Sequence, residues 1–508
     1  MTFNKKMVFE RVLLPGLKDL LLKRIDTFKK IFLVGGTIRD FMLGLENVDL
    51  DFAVEANAHL AAKLVANFFG GSFFMLDEER NTSRAIVYID QKRYHIDFAL
   101  LRGRSIEDDL KARDFTINAM AVDIEDLEKL IDPLNALTDI QKRILKLCLN
   151  ESLMNDPVRA VRAIRFIQAY GLDYDNQVID LIQQASSHVF STSVERVRDE
   201  IFNIFEFTDI QGSLDLMQDF GLFKSIFPEL LDLKLIPAYG GHVHDGLYHT
   251  IRVAELVQKI CRYFQIGQPI NEDKLLNPML SELESFRDEI RDYLTRQLNP
   301  HRSLQGLLVL TALYHDLGKV EILKNETIAS DRFPGHAIYS EKLFNKYKWK
   351  FALSNDENAA ISQMLRCHMS EHLKLVALTD KYQILVYKFY REAGQFGVLV
   401  VLFHLADLIA TYEENLTDQR GKIAITSAKR LLKGWFYQRE KMITPKKLID
   451  GNDLMQVFNL SPGRHIGDFL EIIREAQVEG KVSNRHEALE LISFHLNEGN
   501  HDARETAF

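Results

Sequence analysis

The stretch from Leu33 to Val54 constrains this chain most. An apolar run stops at Gly35-Gly36 in LVGGTIRD, and a second run, VDLDFAV, carries Asp49 and Asp51 on either side of Leu50. Residues two apart on a strand point to the same side, so both carboxylates face one spot beside the Gly-Gly turn. Such a spot can hold divalent ions against a nucleoside triphosphate. A second cluster, at His315-Asp316, lies far downstream, which implies two metal centres that need not do the same job.

At 508 residues the chain exceeds one ordinary core, and roughly two to four domains are expected. Cys148, Cys261 and Cys367 are scattered, with no C-x-x-C pair. That suits a reducing compartment and small buried side chains. The N-terminal segment lacks a long apolar h-region and no run of eighteen apolar residues occurs, so a cytoplasmic, non-membrane chain is the expectation. The nearest to a span, FGVLVVLFHLADLIATY, is interrupted by His404 and Asp407 and reads as a buried helix. The net charge of −9 argues against nucleic acid only weakly, because the cations are clustered. Lys142–Arg165 holds six basic and two acidic residues, and Lys422–Lys447 eight and one. Such stretches can follow a phosphate backbone, although solvated helix faces look the same in sequence.

Organisation follows from the periodicity. After an amphipathic lead-in of thirty residues, strands are expected at Ile31–Val34, Val48–Val54, Arg84–Asp90 and Tyr94–Leu100. Helices are expected from Thr37 and over Ala58–Phe69, with a turn at Gln91-Lys92. This is a small α/β domain over residues 1–140. From Ile144 the pattern turns helical: Val158–Tyr170 stopped by Gly171, then Val178–Ala185 and Val194–Phe205. These helices form a neck over residues 141–238. A second helical domain runs over 239–440 from Gly240-Gly241-His242, with an irregular insertion at 267–303. A compact helical module closes the chain over 441–508.

Nucleotidyl transfer needs a backbone nest for the triphosphate and carboxylates for ions bridging the attacking hydroxyl and the α-phosphate. Gly35 and Gly36 at a helix start suit the nest. Arg39 is placed near the phosphates with Asp40 orienting it, Asp49 and Asp51 are ion ligands, and Asp97 in YHIDFAL is a third carboxylate if its strand pairs beside theirs. Each part alone is commonplace; their order and spacing are not.

These motifs resemble the class II tRNA nucleotidyltransferases and bacterial poly(A) polymerases, relatives of DNA polymerase beta. LVGGTIRD with DLDFAV resembles the family's first motif and KARDFTINAMA its second. IDPLNALTD resembles the segment joining head to neck. NDPVRAVRAIRF resembles the nucleotide-reading motif, and VERVRDEIF the motif after it. The resemblance implies a polymerase-beta-like head and helical neck, with Asp49 and Asp51 as magnesium ligands. It implies that Arg113 and Asp114 contact the incoming CTP or ATP, that Asn118 braces their loop, and that Asp156 and Arg159 read the base. Three residues apart on a helix, those two would share a face; Arg162 would reach a phosphate or hold the pair. Without the resemblance, Arg159, Arg162 and Arg165 read as a solvated stripe. The chain departs from the family at Asn155, at Ala112 and in LLRG after Asp97. Phe73–Arg84 would be the family's flexible specificity loop, its LDEER leaning towards A-adding and poly(A)-forming members and away from the short-loop CC-adding ones.

Downstream, His249, His315-Asp316, His336, His368 and Asp407 fall in apolar helical contexts, where such groups are costly unless paired or metal-bound. Lys319 lies one turn past His315. The set resembles the HD phosphohydrolase superfamily, with His249, His315, Asp316 and Asp407 as the core and His336 and His368 as the extra ligands of binuclear members. A divalent metal of unspecified identity and phosphoester hydrolysis at an RNA end are implied; a helical spacer without activity is the alternative. The last module resembles the family's docking module for the tRNA elbow. The combined expectation is CCA addition to the tRNA acceptor end, with A-only addition, poly(A) synthesis, or a phosphohydrolase with an RNA-binding head as alternatives.

Overall fold

In the computed structural model, residues 9, 11–78, 81–266, 273–299, 302–325 and 333–505 are described. The chain divides into two compact units, Met1–Ile204 with Asp215–Ile226, and Phe205–Leu214 with Phe227–Phe508.

The first unit is built on a mixed sheet, seven-stranded among the described residues: β1 (Ile31–Val34), β2 (Asp49–Val54), β3 (Ser72–Asp77), β4 (Thr82–Ile89), β5 (Lys92–Leu100), β6 (Ala121–Asp123) and β7 (Asp126–Ile131). Their order is β3-β4-β5-β2-β1-β6-β7. Only β2 and β5 are parallel neighbours, and their register sets Asp51 opposite Asp97 and Phe52 opposite Phe98. The Gly-Gly turn leads from β1 straight into α1 (Gly36–Met42). Alternation sends Leu50, Phe52, Ile96 and Phe98 to the face away from the carboxylates, where all are at most 2% exposed and the two phenylalanine rings stack at 5.0 Å. Burying each of those rings stabilises by about 1.5–3 kcal/mol. Helix α2 (Ala58–Phe69) covers this face: Ala58, Ala61, Ala62 and Val65 are buried, and His59 meets Ser83 of β4. On the carboxylate face, Phe32, Val34 and Ala53 pack with Ile106 and Leu110 of α3 (Ile106–Lys111). Two neck helices, α4 (Val158–Tyr170) and α5 (Val194–Phe207), follow. Gly171 ends α4 at φ 58°, as its position predicts.

Several expectations shift. The strand β3 was hidden in the supposed flexible loop: Ser72–Asp77 pairs antiparallel with β4, so Phe73–Arg84 is mostly a hairpin, while Glu79 and Arg80 lie outside the described residues. As an edge strand β3 leaves Phe74, Met75 and Leu76 about half exposed, so it lacks the alternation that reveals a strand. The β4–β5 turn sits at Asp90-Gln91, both with positive φ, not at Gln91-Lys92. Residues 267–303 contain the helices Leu276–Ser281 and Arg287–Leu294 with buried leucines, and 267–272 and 300–301 lie outside the described residues. Of the lead-in, residues 1–8 and 10 also lie outside them, and the rest holds short helices at Leu17–Leu22 and Ile25–Phe28.

The second unit is helical. Its centre is formed by α6 (Gly246–Ile266), α7 (Leu304–Tyr314), α8 (Leu317–Asn325), α9 (His336–Tyr347), α10 (Asn355–Cys367) and α11 (Gly397–Tyr412). By length and mean hydropathy the segment Tyr382–Asn415 would suffice to cross a membrane, but 72% of its most apolar window is buried in the protein. It is also broken at Gly394, where φ is 55°, so it reads as core. The closing helices Gly451–Phe458, Arg464–Val478 and Arg485–Glu505 share a small core of Leu454, Ile473, Ala488 and Ile492.

Candidate active site and metal centre

In the first unit the backbone nest and the carboxylates meet. Gly35 adopts φ 66° and ψ −129°, which a side chain resists, and a β-carbon there would lie 2.6 Å from Arg113 Nη1. A β-carbon on Gly36 would lie 3.5 Å from Asp51 Oδ2. Thr37, unremarked in the sequence reading, locks α1 to β2: its hydroxyl donates to Asp49 O at 3.1 Å and accepts from Asp51 N at 2.9 Å. Among the described residues no hydrogen bond or ion pair engages the Asp51 carboxylate. Burial, then Asp97 and Asp49, push its pKa up to about 6 against Arg113 and Arg39. A partner-free carboxylate beside two others, all supplying oxygen, fits a divalent cation.

The neighbours of Asp51 are held differently. Asp49 is largely exposed, and its Oδ1 lies 3.1 Å from His95 Nδ1 on β5. Asp97 does pair beside Asp51, but Arg84 on β4 donates to both its oxygens, at 2.7 and 2.8 Å. Each Asp97 oxygen keeps a further lone pair that a cation could use. Strand pairing placed Arg84 and His95 here, and the sequence alone carried no sign of either.

Around this spot lies a buried network. Asp109 of α3 accepts from Arg113 Nε and Nη2 at 3.0 and 2.9 Å, which aims the guanidinium at Gly35. Asp114 is not open to a ligand in this arrangement: its Oδ1 accepts from Phe115 N and Asn118 Nδ2, its Oδ2 from Arg162 Nη1 at 2.8 Å. Burial opposes its charge, but Arg162, Asn118 and the Phe115 N–H outweigh burial and hold the carboxyl well below the usual range. Arg162 also donates from Nε to Glu200 of α5 at 2.6 Å, and Arg165 to the same carboxylate at 2.8 Å. The arginines of α4 are thus internal braces instead of a solvated stripe. Arg39, expected near phosphates, is 7% exposed. It donates to Asn118 Oδ1 and Asp40 Oδ1 and lies over the Tyr170 ring at 4.6 Å.

Asp156 precedes α4 instead of lying on it, yet Arg159 Nε still approaches its carboxylate to 3.5 Å. Its firmer partner is Arg196 of α5, bidentate at 2.9 and 2.7 Å. Arg159 Nη1 donates to Ser152 Oγ, while its buried Nε has no hydrogen-bond partner.

In the second unit the expected ligands converge. His249 (α6), His315 and Asp316 (between α7 and α8), His336 (start of α9), His368 (after α10) and Asp407 (α11) lie together. His249 Nε2 is 3.1 Å from Asp407 Oδ1 and 3.6 Å from Asp316 Oδ2. His315 Nε2 is 3.3 Å from Asp316 Oδ2, and on the other side His336 Nε2 is 3.3 Å from Asp316 Oδ1 and 3.1 Å from His368 Nε2. Two ligand groups, His249-His315-Asp316 and Asp316-His336-His368, therefore share one carboxylate. The Nδ1 atoms of His315, His336 and His368 face the backbone oxygens of Ala312, Phe333 and Leu365 at 2.7, 2.9 and 2.7 Å. If these are Nδ1–H donors, each Nε2 lone pair is left for a metal. The buried Nε2 atoms of His249 and His315 have no hydrogen-bond partner, a cost that a cation removes. Burial, then the other imidazoles, push His368 down to about 3, so it is neutral and able to ligate. Lys319 donates to Asp316 Oδ2 at 2.6 Å.

Asp49 and Asp51 and the histidine-aspartate cluster fall within two domains matched among known proteins. The sequence matches the poly A polymerase head domain over residues 31–146, the probable RNA and SrmB-binding site of polymerase A over 171–233, the HD domain over 246–411 and a putative tRNA nucleotidyltransferase domain 2 over 348–492. It is 26% identical to the A-adding tRNA nucleotidyltransferase of Deinococcus radiodurans, covering 90% of this chain and 93% of that one. It is also 26% identical to the CC-adding tRNA nucleotidyltransferase of Geobacter sulfurreducens, covering 90% and 89%. Its fold resembles that of an apo CCA-adding enzyme, with a TM-score of 0.59 at 19% identity over 96% of each chain. The Thermotoga maritima CCA-adding enzyme in complex with tRNA gives 0.55 at 19% identity, over 97% and 99%. The chain thus carries, in order, segments matching a poly A polymerase head domain, an HD domain and a tRNA nucleotidyltransferase domain, and over about 90% of its length it is similar to tRNA nucleotidyltransferases.

Proposed function

We propose that the first unit adds C and A nucleotides to the 3′ end of tRNA without a nucleic-acid template. The terminal 3′ oxygen bonds to the α-phosphorus of CTP or ATP, the bond to the β-phosphate oxygen breaks, and pyrophosphate leaves. Asp49 and Asp51 hold the ions for this step, and their all-oxygen donor set suits magnesium. Bound there, a divalent ion favours the ionised hydroxyl and offsets the charge of the departing pyrophosphate. The nest at Gly35-Gly36 and Arg113 cradle the triphosphate. Asp114, Asn118 and Arg162 keep Arg113's loop in place, Arg39 anchors α1, and Asp156 with Arg159 reads the base. The basic stretch Lys422–Lys447 suits a tRNA acceptor stem or elbow recognised by shape and phosphate. Three unpaired cysteines suit a cytoplasmic setting.

The observation that carries this reading is the Asp51 carboxylate, without a partner and within contact distance of the Gly-Gly nest. Among the relatives, an A-adding and a CC-adding enzyme are equally similar, so addition of one nucleotide type is the second reading. Transcripts ending at the discriminator, at C and at CC, each given CTP or ATP, separate them. Full CCA addition predicts extension of the first two with CTP and of the CC-ended transcript with ATP; extension of the CC-ended transcript alone, or of the first two with none of the CC-ended one, overturns it. Repeated adenylation of unrelated RNA would instead mark a poly(A) polymerase.

The second unit, on this reading, is a metal-dependent phosphoesterase. A water oxygen bonds to phosphorus, the ester bond breaks, and the alcohol leaves carrying a proton from the water. His249, His315, Asp316, His336, His368 and Asp407 would hold the divalent ions; the Nε2 atoms of His249 and His315 make no hydrogen bond although they face carboxylate oxygens at 3.1 and 3.3 Å, which supports this. Mixed imidazole and carboxylate donors suit several divalent metals.

A further inference from the structure

The segment Gly240-Gly241-His242 is built in a way that metal ligation does not explain. Tyr239 to His242 form a tight turn in which His242 N donates to Tyr239 O at 2.8 Å. Its two central residues, Gly240 and Gly241, have φ of 57° and 109°, the pairing that type I′ turns reserve largely for glycine, asparagine and aspartate. Gly241 has no room for a side chain either, because a β-carbon would lie 2.5 Å from Tyr412 Cε1. Val243 N then donates to Thr411 O at 3.3 Å, so the turn is fastened to the end of α11, which carries Asp407.

This turn presents one side chain to the candidate metal centre. The His242 ring stacks on Tyr239 at 4.8 Å and 27°, and stands edge-on to His249 at 4.6 Å and 80°. Tyr239 is itself braced, with Phe333 against it at 5.1 Å and Lys319 Nζ 5.3 Å from its ring centroid. The His242 ring is thus fixed by packing, while among the described residues no protein group hydrogen-bonds to either of its nitrogens. Access points the same way. The side chains of His249, His315 and Asp316 are 1–3% exposed, whereas Asp407 is 18% exposed and His242 is only half-buried. Asp407 and His242 are thus the more solvent-exposed side chains of this group.

We propose that His242 touches the substrate of this centre, donating its ring N–H to a phosphoryl oxygen of a bound phosphoester. The ligands hold the metal, and His242 holds the phosphoryl group against it. The inference rests on the phosphoesterase reading of the second unit, and one experiment separates the two. The full-length protein, loaded with manganese, is assayed on bis(p-nitrophenyl) phosphate and p-nitrophenyl phosphate, with bound metal counted by mass spectrometry and nucleotide incorporation measured on the same preparation as a folding control. In His242→Ala, kcat/KM for the ester that wild type cleaves falls by about 10- to 100-fold, the loss of one donor to a charged group, with metal content unchanged. His242→Gln, which keeps an N–H donor, recovers part of that loss. Full activity in both variants, an equal loss in both, or a loss that tracks lost metal overturns the role of His242 and leaves the phosphoesterase reading standing. A wild-type protein that cleaves neither ester with manganese, nickel or magnesium overturns both.

Discussion

Replacing Arg162 by methionine removes the one cation shared by Asp114 and Glu200 while keeping most of the side-chain volume. Both carboxylates are 8% exposed and Arg162 is 28% exposed, so solvent screens the loss only partly. Removing one member of a buried pair costs about 3–5 kcal/mol. Here Asp114 keeps Phe115 N and Asn118, and Glu200 keeps Arg165, which places the cost near the low end, about 3 kcal/mol. For a unit of this size that lowers Tm by roughly 6–12 °C. The pH dependence has a definite sign. Asp114 and Glu200 are both depressed in the fold, so their contribution is present above the unfolded carboxylate range and is lost as pH falls through the folded values. The gap between wild type and variant therefore narrows below about pH 4. Thermal melts by circular dichroism across pH test this, and Trp349 and Trp435, both in the second unit, give a separate fluorescence signal for that unit. A variant within about 0.5 kcal/mol of wild type at neutral pH, or a gap that widens in acid, refutes the reasoning.

Three other outcomes follow from the geometry. Gly35→Ala must displace Arg113 and strain a positive φ, and the nucleotide KM in incorporation assays should rise by about tenfold or more, about 1.4 kcal/mol; an unchanged KM contradicts the nest. Asp51 has a folded pKa of about 6, above its reference value of 3.8, so the fold binds the extra proton and loses stability as pH rises through that window. Magnesium should offset this, so the Tm increase it produces should grow from about pH 5 to about pH 7 in wild type and not in Asp51→Asn; equal behaviour in the two contradicts it. Asp316→Asn alters the residue shared by both ligand groups, and mass spectrometry should find the metal of the second unit lost while incorporation persists; full retention contradicts a shared ligand.

The sequence revealed what is local. Gly35-Gly36, Asp49 and Asp51 lie within one strand–turn–helix–strand passage, and Gly171 closes a helix by its own backbone freedom. The HD-type ligands were legible because polar groups in apolar helices stand out. What sequence could not show depends on partners brought in by pairing and packing. Arg84 and His95 reach Asp97 and Asp49 only through sheet register. Arg196 and Glu200 sit on a separate helix from the residues they hold. The periodicity of α4 reads equally as a solvated face, and only its ion partners show otherwise. The edge strand β3 was missed because it has no buried face to impose alternation.

The most direct test of the account is single-turnover incorporation of ATP into a tRNA transcript ending in CC, with magnesium, by wild type, Asp49→Asn and Asp51→Asn. Both variants should fold as wild type does and keep any phosphoesterase activity of the second unit, while incorporation falls by roughly a hundredfold or more. Incorporation at the wild-type rate in Asp51→Asn would contradict the assignment of the chemistry to this carboxylate and its nest.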